Sequence, residues 1–146
     1  MRNRIPGLCS APAIALKAVE LMKEGGENFK EKKSWNPVRK PFPHFHRMNL
    51  EEKAALVKQN PAYGRIVCRC EEVTEGEIID AIHSPVPART YDGIKRRTWL
   101  GTGRCQGAFD YPRVIQILAR ELGIDETEVT KKGKGSNLVF RRTKCL

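Results

Sequence analysis

The chain has 146 residues, with 27 Lys and Arg against 17 Asp and Glu, giving a formal net charge of +10; 40% of the residues are hydrophobic. That composition supports one modest core or two very small ones. No stretch reaches the roughly 18 unbroken apolar residues of a membrane span, and Met1 to Ile5 runs into Pro6-Gly7 without the apolar centre of a secretory signal. Five Cys at 9, 68, 70, 105 and 145 are odd in number and widely scattered. This is unlike the even, closely spaced set of a secreted disulfide scaffold. A reducing, cytoplasmic setting is expected, with thiols free to bind metal.

Charge divides the chain into three. Residues 1–50 carry +6, 51–88 carry −3 and 89–146 carry +7. Ser10 is expected to cap a first helix, with Pro12 at an early position that tolerates a missing N–H. Ile14, Ala15, Ala18, Leu21 and Met22 follow at helical spacing, and Gly25-Gly26 ends the run. From Asn28 to Met48 the composition turns to Lys, Pro and aromatics. Pro37, Pro41 and Pro43 forbid a continuous helix, while Phe29, Trp35, Phe42 and Phe45 call for burial. The expectation is an extended arm laid over another surface, one that need not belong to this chain.

Asn49 is placed to cap a helix over 50–59, stopped by Asn60-Pro61, and residues 64–68 read as extended. Thr74 with Glu77 has the form of a capping box, so a helix is predicted over about 75–83, ended by Ser84-Pro85-Val86-Pro87. Thr90 starts a short helix through Lys95-Arg96-Arg97, followed by a Gly-rich turn from Gly101 to Gly107. The clearest helix spans 111–122, with Val114, Ile117, Leu118 and Leu122 on one face and Gly123 as terminator. Asp125 caps a last turn, and the basic end from Lys131 to Leu146 is expected to be extended. The C-terminal half is therefore mainly helical, with loops around its cysteines.

Cys68-Arg69-Cys70 places two thiols two residues apart, and Cys105 follows 35 residues after Cys70 among Gly101, Gly103 and Gly107. Glycines beside a thiolate let backbone N–H groups approach sulfur and tune an iron–sulfur centre. The basic neighbours Arg65, Arg69, Lys95, Arg96, Arg97 and Arg104 would lower thiol pKa values and offset cluster charge. Buried structural cysteines are the plainer alternative. Zinc is another, although C-x-C departs from its usual C-x₂₋₄-C pairs.

The run Val67-Cys68-Arg69-Cys70-Glu71-Glu72-Val73-Thr74-Glu75-Gly76-Glu77-Ile78, followed by Gly103-Arg104-Cys105-Gln106-Gly107, resembles the bacterioferritin-associated-ferredoxin-like (BFD-like) [2Fe-2S] domain. The likeness covers about 66–139. It implies a mainly α, small helical [2Fe-2S]-binding domain with cluster-holding loops, here preceded by a helix and an extended arm. It also implies metal ligation by Cys68, Cys70 and Cys105, with Asp110 at the position where the family has its fourth Cys. Ala108 likewise replaces a family Gly. An oxygen donor is harder than sulfur and holds iron less securely. Four arrangements remain open at this point: Asp110 as the fourth ligand, Cys145 reaching in from the tail, zinc on three thiolates plus Asp110, or a domain without metal.

Ile5-Pro6-Gly7-Leu8-Cys9-Ser10-Ala11-Pro12-Ala13-Ile14-Ala15 resembles the closing stretch of an FAD-binding domain of the glycerol-3-phosphate dehydrogenase and D-amino-acid-oxidase-like family. Cys9 stands for a family Thr and Ile5 for a Ser. That likeness implies that the backbone at Gly7 and Leu8 lies by a flavin. The stretches 36–41 and 60–68 are similar to the connector between the flavin and cluster domains of such enzymes. The implied organisation is a terminal helix of a truncated FAD-binding domain (1–27), an extended connector with one short helix (28–65), and the cluster domain with its basic tail (66–146).

No G-x-G-x-x-G follows a strand near the start, so the chain alone is not expected to hold FAD or to be a complete enzyme. The implied role is to relay electrons from flavin through the cluster. The implied partners are the missing FAD-binding domain and an acidic electron carrier docking on the basic tail. A cluster-less or zinc-binding structural or regulatory domain is the alternative reading. A basic nucleic-acid-binding module is disfavoured, because the basic groups are dispersed and no recognition helix is evident. His44, His46, Glu71 and Glu72 read as solvated groups, and His83 as a favourable charge at a helix C-terminus.

Overall fold

The computed structural model describes residues 7–38, 41–141 and 143. It divides into two units, Met1–Arg39 and Lys40–Leu146. The first contains helix α1, Gly7–Glu24. Its stop is of the Schellman type: Gly26 takes φ +92°, and the Glu27 N–H returns to Met22 O at 3.0 Å. The start differs from expectation, because α1 runs through Ser10 and places Pro12 inside the helix. Ala11, Ala13, Ala15 and Ala18 have the strongest helix preference of any residue and carry the helix past the one N–H that Pro12 lacks. Ile14, Leu16, Leu21 and Met22 are exposed, as are Phe29 and Trp35 farther along.

In the second unit the arm does not stay extended throughout. Phe45 is buried in a single 3₁₀ turn, Phe45–Arg47, and its N–H donates to Glu77 Oε1 at 3.2 Å. The aromatic thus anchors within this unit, while Phe29 and Trp35 remain exposed. Helix α2, Leu50–Gln59, begins with the expected Asn49 cap, completed as a capping box by Glu52.

A two-stranded antiparallel hairpin follows, β1 (Ile66–Cys68) and β2 (Val73–Thr74). Ile66 is opposite Thr74 and Cys68 is opposite Val73, with the register broken between them. The hairpin passes directly into α3, Glu75–Ile82, where Thr74 and Glu77 form the expected capping box. Gly76 lets the Tyr63 ring lie against this helix, since a Cβ there would be 2.7 Å from the ring. The Tyr63 hydroxyl then donates to Asp80.

Helix α4, Tyr91–Thr98, is capped by Thr90, and α5, Tyr111–Leu122, ends at Gly123 in the left-handed conformation. The mainly α fold inferred from the sequence is thus the one observed. Val114, Ile117 and Leu118 of α5 are fully buried against Ile78, Ala81, Tyr91, Ile94 and Leu100. Burying each large aliphatic side chain contributes about 1.5–3 kcal/mol, so this one helix organises the core.

The chain after α5 is also more folded than expected. Thr130 pairs with Asn137 across a tight turn in which Gly133 and Gly135 take φ +128° and +80°. Burial of Val129 and partial burial of Leu138 against the core pull this turn in. It also supplies backbone acceptors to α4: Tyr91 N–H donates to Thr130 O at 3.1 Å and Asp92 N–H to Lys131 O at 2.8 Å.

Candidate metal centre

Cys68 ends β1 and is buried, whereas Cys70 lies in the hairpin turn and is exposed. The turn needs a left-handed residue, supplied by Glu72 at φ +50°. Its side chain is held by Lys53 at 3.2 Å. Cys105 comes from the loop between α4 and α5 and is partly exposed. That loop has left-handed backbone at Trp99, Gly101, Gln106 and Gly107, and it delivers N–H groups to sulfur. Cys68 receives backbone N–H groups from Gly101 and Glu71. Cys105 receives them from Gly107 and Phe109.

Burial pushes the Cys68 thiol up, and the neighbouring Asp110 acts in the same direction. The Gly107 N–H, with help from Cys70 and Phe109, pulls the Cys105 thiol down. The N–H groups expected from the glycines therefore tune these sulfurs, together with burial and with the Glu71 and Phe109 N–H groups. Of the basic groups, Arg69 and Arg104 line the cavity beside the donors, whereas Arg65 is bound to Glu75 at 2.7 Å and Arg97 donates to Gly93 O and Val86 O. Lys95 and Arg96 line a different hollow beside Trp99.

Asp110 precedes α5 and is only 1% exposed. An aspartate at this position ordinarily accepts from the second or third helical N–H. Here it makes no side-chain cap bond, and Pro112 has no N–H to offer. Asp110 instead contacts the Cys68 thiol, and its Oδ2 is buried without a hydrogen-bond partner among the described residues. Desolvating a carboxylate oxygen without a partner is costly. An atom in that condition fits a ligand better than a purely structural group.

The donors fall into two pairs. Cys68 touches Asp110 and Cys70 touches Cys105. Among the described residues, no three His, Cys, Asp or Glu side chains converge on a single ion position, which is what zinc on three thiolates and Asp110 would need. A two-iron centre instead takes two protein donors at each iron. Cys145, the other possible fourth ligand, lies outside the described residues. Beside the donors is a cavity of about 760 Å³, lined by Cys70, Cys105 and Asp110 together with Arg69, Arg104 and Arg113.

Residues 66–120 match the BFD-like [2Fe-2S] binding domain. This segment, a little over a third of the chain, is similar to that domain. It holds all four candidate donors, the β1–β2 hairpin and helices α3 and α4. A protein named glycerol 3-phosphate dehydrogenase, from Caloramator mitchellensis, is 49% identical over 139 residues; the match covers 95% of this chain and 29% of that relative. No solved structure matches the chain.

Gly7 and Leu8 open α1 in the first unit, with Gly7 exposed. The His44 and His46 rings meet edge to face, and His83 pairs with Glu121 at 2.8 Å. Two groups at the BFD-like domain's centre escaped sequence reasoning. One is Tyr91, whose buried hydroxyl has no partner among the described residues. The other is Glu75, 1% exposed at its side chain and bound by Arg65, Arg113 and Arg120. Neither belongs to a spacing motif, and each is distinguished only by what the fold brings to it.

Proposed function

We propose that this chain is the electron-relay part of a glycerol-3-phosphate dehydrogenase-like flavoenzyme. Cys68, Cys70, Cys105 and Asp110 would hold a [2Fe-2S] cluster that receives electrons from FAD bound by a domain outside this chain. The observation that carries this reading is the pairing of Cys68 with Asp110, a buried carboxylate whose Oδ2 has no hydrogen-bond partner among the described residues, in one domain with the Cys70–Cys105 pair. Such a centre takes up and returns one electron at a time without binding substrate.

The chain's own residues divide the work by depth. Cys68 and Asp110 form the buried pair and Cys70 and Cys105 the outer pair, so electrons would enter and leave at the outer side. Gly101, Glu71, Gly107 and Phe109 present backbone N–H groups that offset charge on the thiolates. Arg69, Arg104 and Arg113 place positive charge at the cavity, suited to an acidic carrier. Phe109, 86% exposed, supplies an apolar contact beside them. Gly7 and Leu8 would contribute backbone at the flavin once the FAD-binding domain is present.

The test is anaerobic purification of the chain and of its Asp110→Ala and Asp110→Cys variants, with iron, sulfide, zinc and visible absorption measured together. The expected wild-type result is about two irons and two sulfides per chain, with broad bands between roughly 400 and 550 nm. Asp110→Ala should lose iron, and Asp110→Cys should keep it with a shifted spectrum. A colourless protein after reconstitution would overturn the cluster. In the intact parent, sn-glycerol 3-phosphate should bleach both flavin and cluster bands; bleaching of the flavin alone would overturn the relay.

A further inference from the structure

Tyr91 is the first residue of α4, 1% exposed, and its hydroxyl is buried with no hydrogen-bond partner among the described residues. A phenylalanine would fill the same space without desolvating an oxygen, so the hydroxyl needs an explanation. Its surroundings supply one. Gly101 and Gly107, which deliver N–H groups to Cys68 and Cys105, also flank the Tyr91 oxygen, and a Cβ on either would collide with it. The ring is fixed by stacking on Tyr111 at 4.1 Å between centroids, and the backbone by the Thr130 carbonyl. Asp110, Cys68 and Cys105 lie close enough to act on it electrostatically, and a tyrosine hydroxyl is protonated at neutral pH and available as a donor.

Two buried polar atoms, Tyr91 Oη and Asp110 Oδ2, thus lie without partners among the described residues at one site and do not satisfy each other. We propose that the Tyr91 hydroxyl donates a hydrogen bond to the sulfur and oxygen shell of the [2Fe-2S] centre and raises the potential at which the domain passes electrons. This rests on the cluster reading above and adds a role for a residue outside the ligand set. The physical basis is that reduction adds negative charge to the centre. A fixed O–H dipole stabilises the reduced form more than the oxidised one.

The experiment uses anaerobically purified wild type and Tyr91→Phe. Iron and sulfide are assayed first. Redox titration at pH 7 and resonance Raman spectra in H₂O and D₂O then follow on the same samples. The expected result is equal iron and sulfide, a more negative potential in Tyr91→Phe, and loss of part of the deuterium-sensitive shift in the Fe–S bands. Equal loading with unchanged potential and unchanged deuterium shifts would overturn the role of Tyr91 and leave the cluster reading intact. A wild type without iron and sulfide would overturn both. Should Tyr91→Phe fail to fold or load, 3-fluorotyrosine at position 91 preserves the ring and makes the hydroxyl a stronger donor. Its expected effect is a more positive potential, and an unchanged potential would overturn the proposal.

Discussion

Replacing Glu75 by Gln should destabilise the BFD-like domain by about 2 kcal/mol at pH 7. The Glu75 carboxylate receives Arg65 at 2.7 Å, Arg113 at 3.1 Å and Arg120 at 2.8 Å. It thereby joins the residue before β1, the first turn of α3 and two turns of α5. Arg65 first and then Arg120 hold its carboxyl down to about 2 from an ordinary 4.5, against the opposing effect of burial. Each tenfold change in proton affinity corresponds to about 1.4 kcal/mol, so that gap amounts to roughly 3 kcal/mol. The guanidiniums are about half exposed, and screening by water reduces the figure to about 2.

The pH dependence has a definite sign. The native state favours the ionised carboxyl and binds fewer protons than the unfolded chain. The contribution is therefore full above pH 4.5, shrinks as the pH falls, and is gone below about 2. Urea unfolding of wild type and Glu75→Gln, monitored by circular dichroism at matched iron content, measures the difference. A difference below about 0.5 kcal/mol at pH 7, or one that stays constant down to pH 3, would refute the reasoning.

Two glycine substitutions test the packing around the site. Gly76→Ala would ordinarily strengthen a helix by about 1 kcal/mol. Here the new methyl would meet the Tyr63 ring at 2.7 Å, so a loss of about 1–3 kcal/mol is expected in urea unfolding, and a gain would show that the ring yields freely. Gly107→Ala faces φ +89° as well as the Tyr91 hydroxyl and, at 3.1 Å, the Tyr111 ring. It should cost about 1–2 kcal/mol and reduce iron retention. Unchanged stability and iron content would show that this loop is not built around the Tyr91 oxygen.

Local chemistry makes most of the second unit legible in the amino-acid sequence. Asn49 with Glu52, Thr74 with Glu77, and Asp125 each form the caps they imply. A cap is satisfied within three or four residues and needs nothing distant. The same holds for α5, whose apolar face and Gly123 terminator lie within its own run. The C-x-C pair stands out for a similar reason, since two residues keep its thiols close together, whereas the fold brings Cys105 to Cys70.

Tertiary structure decided what depends on residues far apart in sequence. It buried Asp110 and left its Oδ2 without a hydrogen-bond partner among the described residues. It decided which backbone N–H groups reach the sulfurs, adding those of Glu71 and Phe109 to the glycines that the sequence pointed to. It placed Arg65, Arg113 and Arg120 around Glu75, up to 45 positions away, and folded the tail back because Val129 and Leu138 had a core to join. The Tyr91 hydroxyl belongs with these. In the sequence it is one aromatic after a capping threonine, and only the meeting of α4 with two glycine turns makes it a donor, unpartnered among the described residues, beside two thiols and a carboxylate. Sequence determined which segments turn, start and stop, because those choices are settled by neighbours. The long-range contacts determined which polar atoms lose water, and the chemistry of the site follows from that loss.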